Sequence, residues 1–251
     1  MIGIIIQART GSSRLPKKVI KKIEGKTVLE HVILRTKIVE NCDKVILATT
    51  DKKEDDILEK IGKECQISVF RGSENDVLDR FYQTAKLFKI NHIVRITADC
   101  PLIDPKIVKE VIKFYFKNNF DYVGNAHPPT FPDGMDVEVF SFNALEKSWK
   151  EALSEEDRGE CVTPYILKNI KIFKIGNFFS KKDLYDLRLT LDEKDDLILI
   201  KEIYKELYRK DPKFGLNEIL KLFLKRPELL KINHKITSRP ISRWKRGQTK
   251  L

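Results

Sequence analysis

Ile2-Gly3-Ile4-Ile5-Ile6 runs without a break into Gln7-Ala8-Arg9-Thr10-Gly11-Ser12-Ser13-Arg14-Leu15-Pro16-Lys17. A short apolar run closed by small residues reads as a buried strand that ends in a tight loop. The loop holds a glycine, neighbouring hydroxyls and the cations Arg9, Arg14 and Lys17. Gly11 allows a close approach of backbone to ligand, and the N–H groups of such a turn can form a nest for phosphate oxygens. Arginine adds a bidentate fork and lysine a point charge. The loop therefore suits a polyphosphate, although neither Gly-x-x-x-x-Gly-Lys-Ser/Thr nor Gly-x-Gly-x-x-Gly is present. A merely solvated basic loop has the same composition. Its place after the first strand of an α/β pattern favours the ligand reading, because open α/β sheets bind at the carboxyl ends of their strands.

The pattern continues outward from that strand. A capping box at Thr27 and Glu30 opens a helix over 28–39, and alternation of strand and helix follows. Strands are predicted at 44–48, 67–70, 92–97 and 121–123, with helices at 55–65, 76–88 and 105–116. Such alternation implies right-handed crossovers and a mainly parallel sheet. Residues 126–133 are proline-rich and irregular, a long functional loop. A strand at 136–140, a helix at 143–153 and a late strand at 187–191 are expected next. A mostly helical, lysine-rich region follows residue 195. The expected division is a catalytic domain over 1–210 and a helical, basic extension over 211–251.

Bulk properties narrow the class. The 251 residues are 41% apolar and 34% charged, with a formal net charge of +11. That surplus admits nucleic acid, an anionic membrane surface or polyanionic small molecules as partners. Much of it is lysine scattered along helical faces. Cys42, Cys65, Cys100 and Cys161 lie far apart, without the spacing of a zinc site or a disulfide framework. No stretch reaches the ~20 apolar residues that span a bilayer. The start of the chain lacks the basic region of a signal peptide, so a cytoplasmic enzyme is expected.

Arg95-Ile96-Thr97-Ala98-Asp99-Cys100-Pro101 places an acid just past a buried strand. Asp104 fills the helix-capping role before Pro105, which leaves Asp99 free to hold a divalent cation against phosphates. Asp192 ends Leu187-Arg188-Leu189-Thr190-Leu191-Asp192, and alone it reads more simply as a turn or cap. Paired with Asp99 it completes a two-carboxylate metal site.

Taken together with Arg71-Gly72-Ser73, Asp76-Val77-Leu78-Asp79-Arg80 and Pro132-Asp133-Gly134-Met135-Asp136-Val137-Glu138, these segments resemble the cytidylyltransferases of the CMP-sugar synthetase superfamily, in particular the SpsF-like spore coat polysaccharide branch. The resemblance spans about residues 2–200. It implies the nucleotide-diphospho-sugar transferase fold, a Rossmann-like three-layer α/β/α sandwich with a mainly parallel sheet. It also implies Mg²⁺ and attack of an acceptor oxygen on the α-phosphorus of CTP with loss of pyrophosphate. By the same resemblance Arg9, Arg14 and Lys17 would be catalytic, holding the triphosphate. Ala8, Gly11, Ser12, Arg71, Ser73 and Thr97 would bind the nucleotide, and Asp99 and Asp192 the metal.

Asp133, Asp136, Glu138 and Arg158 would face the acceptor, though a turn residue and outward strand positions explain the first three equally well. Relatives of this branch read Arg-Glu-His-Val-Thr where this chain reads Arg158-Gly159-Glu160-Cys161-Val162-Thr163, so a cysteine replaces the histidine. Cys161 reads more readily as a small buried hydrophobe than as a base. His31 reads as structural, and His127 is the one histidine placed to meet a substrate. The implied acceptor is an acidic sugar, of which nonulosonic acids are examples, and the implied assembly is a homodimer. Two other readings stay open. A glycosyltransferase of the same fold would not need the doubly basic loop. A nucleic-acid-binding protein would use the tail Arg239-Pro240-Ile241-Ser242-Arg243-Trp244-Lys245-Arg246, but no nucleic-acid motif or interleaved aromatics support it.

Overall fold

The computed structural model describes residues 1–236. The basic tail from Arg239 lies outside them. Strand β1 (Ile2–Gln7) is the middle of the sheet, and its residues 3–6 are buried. It is apolar on both faces because both faces are covered, as parallel strands require. Ile4 and Ile6 pack with Leu29, Ile33, Val108 and Val111 on one side. Ile5 packs with Leu78, Phe81, Phe140 and Leu145 on the other.

After a hairpin of β2 (Lys22–Ile23) and β3 (Lys26–Thr27) come α1 (Val28–Lys37), β4 (Lys44–Thr50), α2 (Asp56–Glu64), β5 (Ser68–Gly72), α3 (Val77–Leu87), β6 (His92–Thr97) and α4 (Pro105–Lys117). Then follow β7 (Tyr122–Gly124), β8 (Glu138–Ser141), α5 (Phe142–Glu151), α6 (Glu155–Arg158), α7 (Pro164–Lys168), β9 (Ile175–Asn177), α8 (Lys194–Leu207) and α9 (Leu216–Lys225). The seven-stranded sheet runs β5-β4-β1-β6-β8-β7-β9, with β8 antiparallel to both its neighbours and the other pairs parallel. Helices on both faces complete the three-layer α/β/α sandwich expected from the sequence.

This order fixes where ligands go. From β1 the chain moves outward to β4 and β5, then crosses back to β6 on the other side of β1. Gln7 is in register with both Ala48 and Thr97, so the loops after β1 and β6 leave the sheet side by side at its switch point.

Local chemistry sets the helix starts. The Thr27–Glu30 capping box is formed. Asp104 accepts from Lys106 N at 2.8 Å at the head of α4 and from Leu216 N at 2.8 Å at the head of α9. One carboxylate thus caps two helices and seats α9 on the sandwich. The Arg35 guanidinium over the Phe214 ring, 4.7 Å from its centroid, reinforces the same contact.

The expected late strand at 187–191 is not one. That segment is extended but makes a single bridge, Arg188 to Asp133. Its alternation arises because Leu189 and Leu191 enter a third core with Ile200, Ile203, Tyr204 and Phe214. No helix among the described residues is long and apolar enough to cross a membrane.

Candidate active site

The loop after β1 is clamped at its first turn. Thr10 donates to Asp55 Oδ1 from its backbone N (2.8 Å) and its hydroxyl (2.6 Å), and Thr50 Oγ1 donates to Asp55 Oδ2. Asp55 is buried, so it holds the loop to the end of β4 from below. Further along, Lys17 adopts a left-handed backbone (φ 56°) and Lys18 starts a short 3₁₀ turn. That twist points Lys17 outward and Lys18 inward.

Lys18 Nζ lies 2.6 Å from Asp99 Oδ2 and 2.6 Å from Asp192 Oδ1. Burial works against the ammonium, but the two carboxylates outweigh it and raise its pKa above the ordinary lysine value. Arg14 Nη2 reaches Asp192 Oδ1 at 2.9 Å from the solvent side. From beneath, Arg188 Nη2 donates to Asp192 Oδ2 at 3.1 Å. Arg188 also donates to Asp133 Oδ2 (2.9 Å) and Asp196 Oδ1 (2.9 Å), and Asn233 Nδ2 donates to Asp196 Oδ1 (2.9 Å). Leu191 N donates to Asp99 O at 2.8 Å, which fixes the backbones of the two site acids together.

The structure therefore gathers Arg14, Asp99, Asp192 and Asp133 into one cluster. Three residues with no site role expected from the sequence, Lys18, Arg188 and Asp55, organise it. The signal for Lys18 was the Lys-Lys pair after Pro16, but sequence alone does not say which lysine faces in. Lys17→Gly is expected to leave turnover unchanged and to raise stability by about 0.5 kcal/mol. Left-handed strain of about 1–2 kcal/mol is relieved and about 0.5–1 kcal/mol of chain entropy is lost. A urea unfolding curve beside a rate assay checks both.

The other expected residues sit around this cluster or inside the scaffold. Arg9 is half exposed, 3.6 Å from Glu74. Ala8 is buried, and Gly11 and Ser12 follow on the loop. Thr97 Oγ1 is 3.2 Å from Cys100 Sγ at the end of β6. Ser73 Oγ accepts from Asp76 N at 3.1 Å. Arg71 is committed elsewhere, donating to Asp56 Oδ1 (2.6 Å), Glu59 Oε2 (3.0 Å) and the carbonyls of Thr50 and Lys52. Arg158 forks onto Asp76 Oδ2 at 2.8 and 2.7 Å, bracing the start of α3. Asp136 is half-buried beside Met135.

Glu138 points into the sheet. It pairs with Arg95 and accepts from Tyr122 (2.8 Å) and Thr163 (2.6 Å). Arg95 Nη2 donates to Gln7 Oε1 at 2.9 Å, and Gln7 Nε2 donates to Glu160 O at 3.3 Å. This chain ties the 160–163 segment to β1. Burial alone would raise the Glu138 pKa, but Arg95, Thr163 and Tyr122 overcome it and hold it at about 2. A depressed carboxylate stabilises the fold above its unfolded pKa and loses that contribution as pH falls toward its folded one. Acid is therefore expected to weaken the fold between about pH 5 and 2. Glu138→Gln should flatten that part of a pH–melting curve.

Cys161 is exposed, not buried. With Arg9 and the carboxylates Glu74, Glu155, Glu156 and Glu160 it lines a cleft of roughly 500 Å³ beside the loop. His127 donates its backbone N to Asn177 Oδ1 at 3.2 Å. His31 is buried, with Nε2 2.8 Å from Ile23 O and its ring against Tyr204 and Tyr208.

Comparison with known proteins agrees with this geometry. The cytidylyltransferase family model matches residues 3–236. The chain is 40% identical over 242 residues to the uncharacterized protein MJ1063 of Methanocaldococcus jannaschii, covering 94% of this chain and 95% of that one. It is 32% identical over 234 residues to the spore coat polysaccharide biosynthesis protein SpsF of Bacillus subtilis, covering 90% and 95%. The solved structure of a cytidylyltransferase from Leptospira borgpetersenii superposes with a TM-score of 0.87 at 32% identity, covering 95% and 98%. A basic loop at the sheet's switch point, an acid pair beside it and a family match along nearly the whole chain lead to one conclusion: this protein belongs to the CTP-dependent cytidylyltransferase family and is a nucleotidyltransferase.

Proposed function

We propose that the protein transfers CMP from CTP to a hydroxyl of an acidic sugar with release of pyrophosphate, in the cytoplasm, for assembly of a surface polysaccharide. The observation that carries this reading is the meeting of Lys18 and Arg14 with Asp99 and Asp192 beside the loop after β1. Arg9, Arg14 and Lys18 would bind the triphosphate and neutralise charge that grows on the bridging and leaving oxygens. Such preorganised electrostatics is the main catalytic term in transfers of this kind.

Asp99 and Asp192 fit Mg²⁺. Their facing oxygens converge on one cation already, and an all-oxygen donor set of two carboxylates completed by substrate phosphates is what that ion takes. Bound there, Mg²⁺ would supply charge neutralisation at the phosphates. Arg188 would keep Asp192 aimed at that point, and Asp55 would keep Thr10 and the loop closed against β4. The half-exposed Arg9 and Arg14 on the loop favour an anionic acceptor, since exposed cations attract anions. The polysaccharide role rests on similarity to SpsF.

The test is pyrophosphate release from each nucleoside triphosphate with Mg²⁺, across nonulosonic acids, other ketosugar acids and sugar phosphates. Release with CTP and an acidic sugar is the expected result. Release with CTP and only neutral or phosphorylated acceptors would discard the acidic-sugar reading, and release with no nucleotide would discard the transfer itself.

A further inference from the structure

The buried arginines of this protein are nearly all accounted for. Arg188 has three carboxylates, Arg95 has Glu138, and Arg35 donates to the carbonyls of Ile103 and Phe214 and lies over the Phe214 ring, with Nη1 left unpartnered among the described residues. Arg80 is different. It belongs to the Asp76-Val77-Leu78-Asp79-Arg80 motif, which no step described so far uses. It is 1% exposed, and among the described residues it pairs with no carboxylate. Nη1 donates to Ser73 O at 2.6 Å, while the buried Nε has no partner there.

A buried, singly bonded guanidinium costs several kcal/mol that an apolar side chain would avoid. Nothing in the packing demands the charge. The stem lies under Gly72, where Cγ and Cβ fill the space below the glycine, and a methionine would fill it equally. Asp76 already caps the helix.

The surroundings indicate what the charge is for. The groups that act on it are Arg9 and Arg95 against, and Asp55 and Glu74 in favour. Burial first, then Arg9, press its pKa down to about 10. Glu74 is the member of this set held by long pairs alone. Its carboxylate stands between Arg9 at 3.6 Å and Lys52 at 4.0 Å, both long pairs, and a Cβ on Gly11 would come within 3.6 Å of it. This carboxylate thus sits on the cleft wall between Arg9 and Lys52, in the field of Arg80, and with Glu54 it flanks Gly11 of the loop.

We propose that Glu74 is a placeholder, and that a substrate oxyanion displaces it to bind among Arg9, Lys52 and Arg80. The oxyanion is a phosphate of CTP or the carboxylate of the acceptor. The assignment of those two substrates rests on the function proposed above, whereas the anion site itself does not.

The experiment measures melting midpoints and binding by calorimetry for the wild type, Arg80→Met, Arg80→Lys and Glu74→Gln. The probes are CTP, inorganic phosphate and pyruvate, the last as a simple carboxylate. Arg80→Met should melt at or above the wild-type temperature without ligand and bind at least one of the oxyanions about tenfold more weakly. Arg80→Lys should fall between, and Glu74→Gln should bind the same probe several-fold more tightly. Loss confined to CTP and phosphate assigns the site to the nucleotide, and loss confined to pyruvate assigns it to the acceptor. A structural arginine gives the opposite pattern, a lowered ligand-free midpoint with every affinity intact, and that result overturns the proposal. If Arg80→Met does not fold, unchanged affinities in both Arg80→Lys and Glu74→Gln overturn it. Failure of the wild type to bind any probe does so too. Pyrophosphate release by the wild type is read separately, so an inactive enzyme that still binds phosphate through Arg80 counts against the proposed function alone.

Discussion

Lys18→Met is expected to lower turnover by about three orders of magnitude, the range seen when one preorganised charge is removed from a transferring group. The expectation follows from position. Lys18 is the cation that contacts both Asp99 and Asp192, and its side chain is only 12% exposed, so solvent screens it little. Without it the two carboxylates face each other with Arg14 alone between them and solvent. The variant should therefore also melt lower in the absence of divalent cation and regain part of that loss when Mg²⁺ is added. A thermal melt with and without Mg²⁺, run beside the rate assay, reads both effects. Turnover within tenfold of wild type would remove Lys18 from the reaction and return attention to Lys17.

Arg188→Met should be costly in a different way. Its guanidinium is 4% exposed and touches Asp133, Asp192 and Asp196. Removing it leaves buried acids facing one another, and breaking a buried ion pair from one side typically costs about 3–5 kcal/mol. Asp196 suffers most. Burial opposes its charge, while Arg188, Asn233 and two backbone N–H groups hold its pKa below the usual value. Urea unfolding should show the loss directly, and turnover should fall because Asp192 is no longer aimed at its partner acid. Arg188→Lys is expected to rescue little, since an ammonium cannot fork across three carboxylates. A stability loss under about 1 kcal/mol would mean that the acids repartner without the arginine.

The architecture was legible where local and global signals agreed. Strand β6 falls at residues 92–97 as expected, and the Thr27–Glu30 box and Asp104 mark helix starts by chemistry that needs no tertiary context. The segment at 187–191 misled because alternation reports which side chains are buried, not whether the backbone has a neighbour to pair with. Arg188 and Asp192 turn toward the site while Leu189 and Leu191 turn toward α8, giving strand-like periodicity without a ladder. Strand β9 and the β2–β3 hairpin are too short to give a period.

Within the site, Asp99 was recognisable because it follows β6, where the fold's geometry puts ligands. Choosing between Lys17 and Lys18 depended on one left-handed residue, which composition does not reveal. Arg71 shows the converse limit. It lies in a motif, but Asp56 and Glu59 on the preceding helix claim its charge, a pairing that only the packing of α2 against β5 creates.

Asn233 has a consequence for biosynthesis. It donates to Arg188 O and Asp196 Oδ1, yet it leaves the ribosome after every other residue of that cluster. The nascent chain can build its sheet early, because β1, β4 and β6 lie in the first hundred residues. The clasp behind Asp192 closes only when the last part of the described chain arrives. A premature stop near codon 230 should thus yield a folded sandwich that is poor in catalysis, and the site becomes competent only once Asn233 has been added.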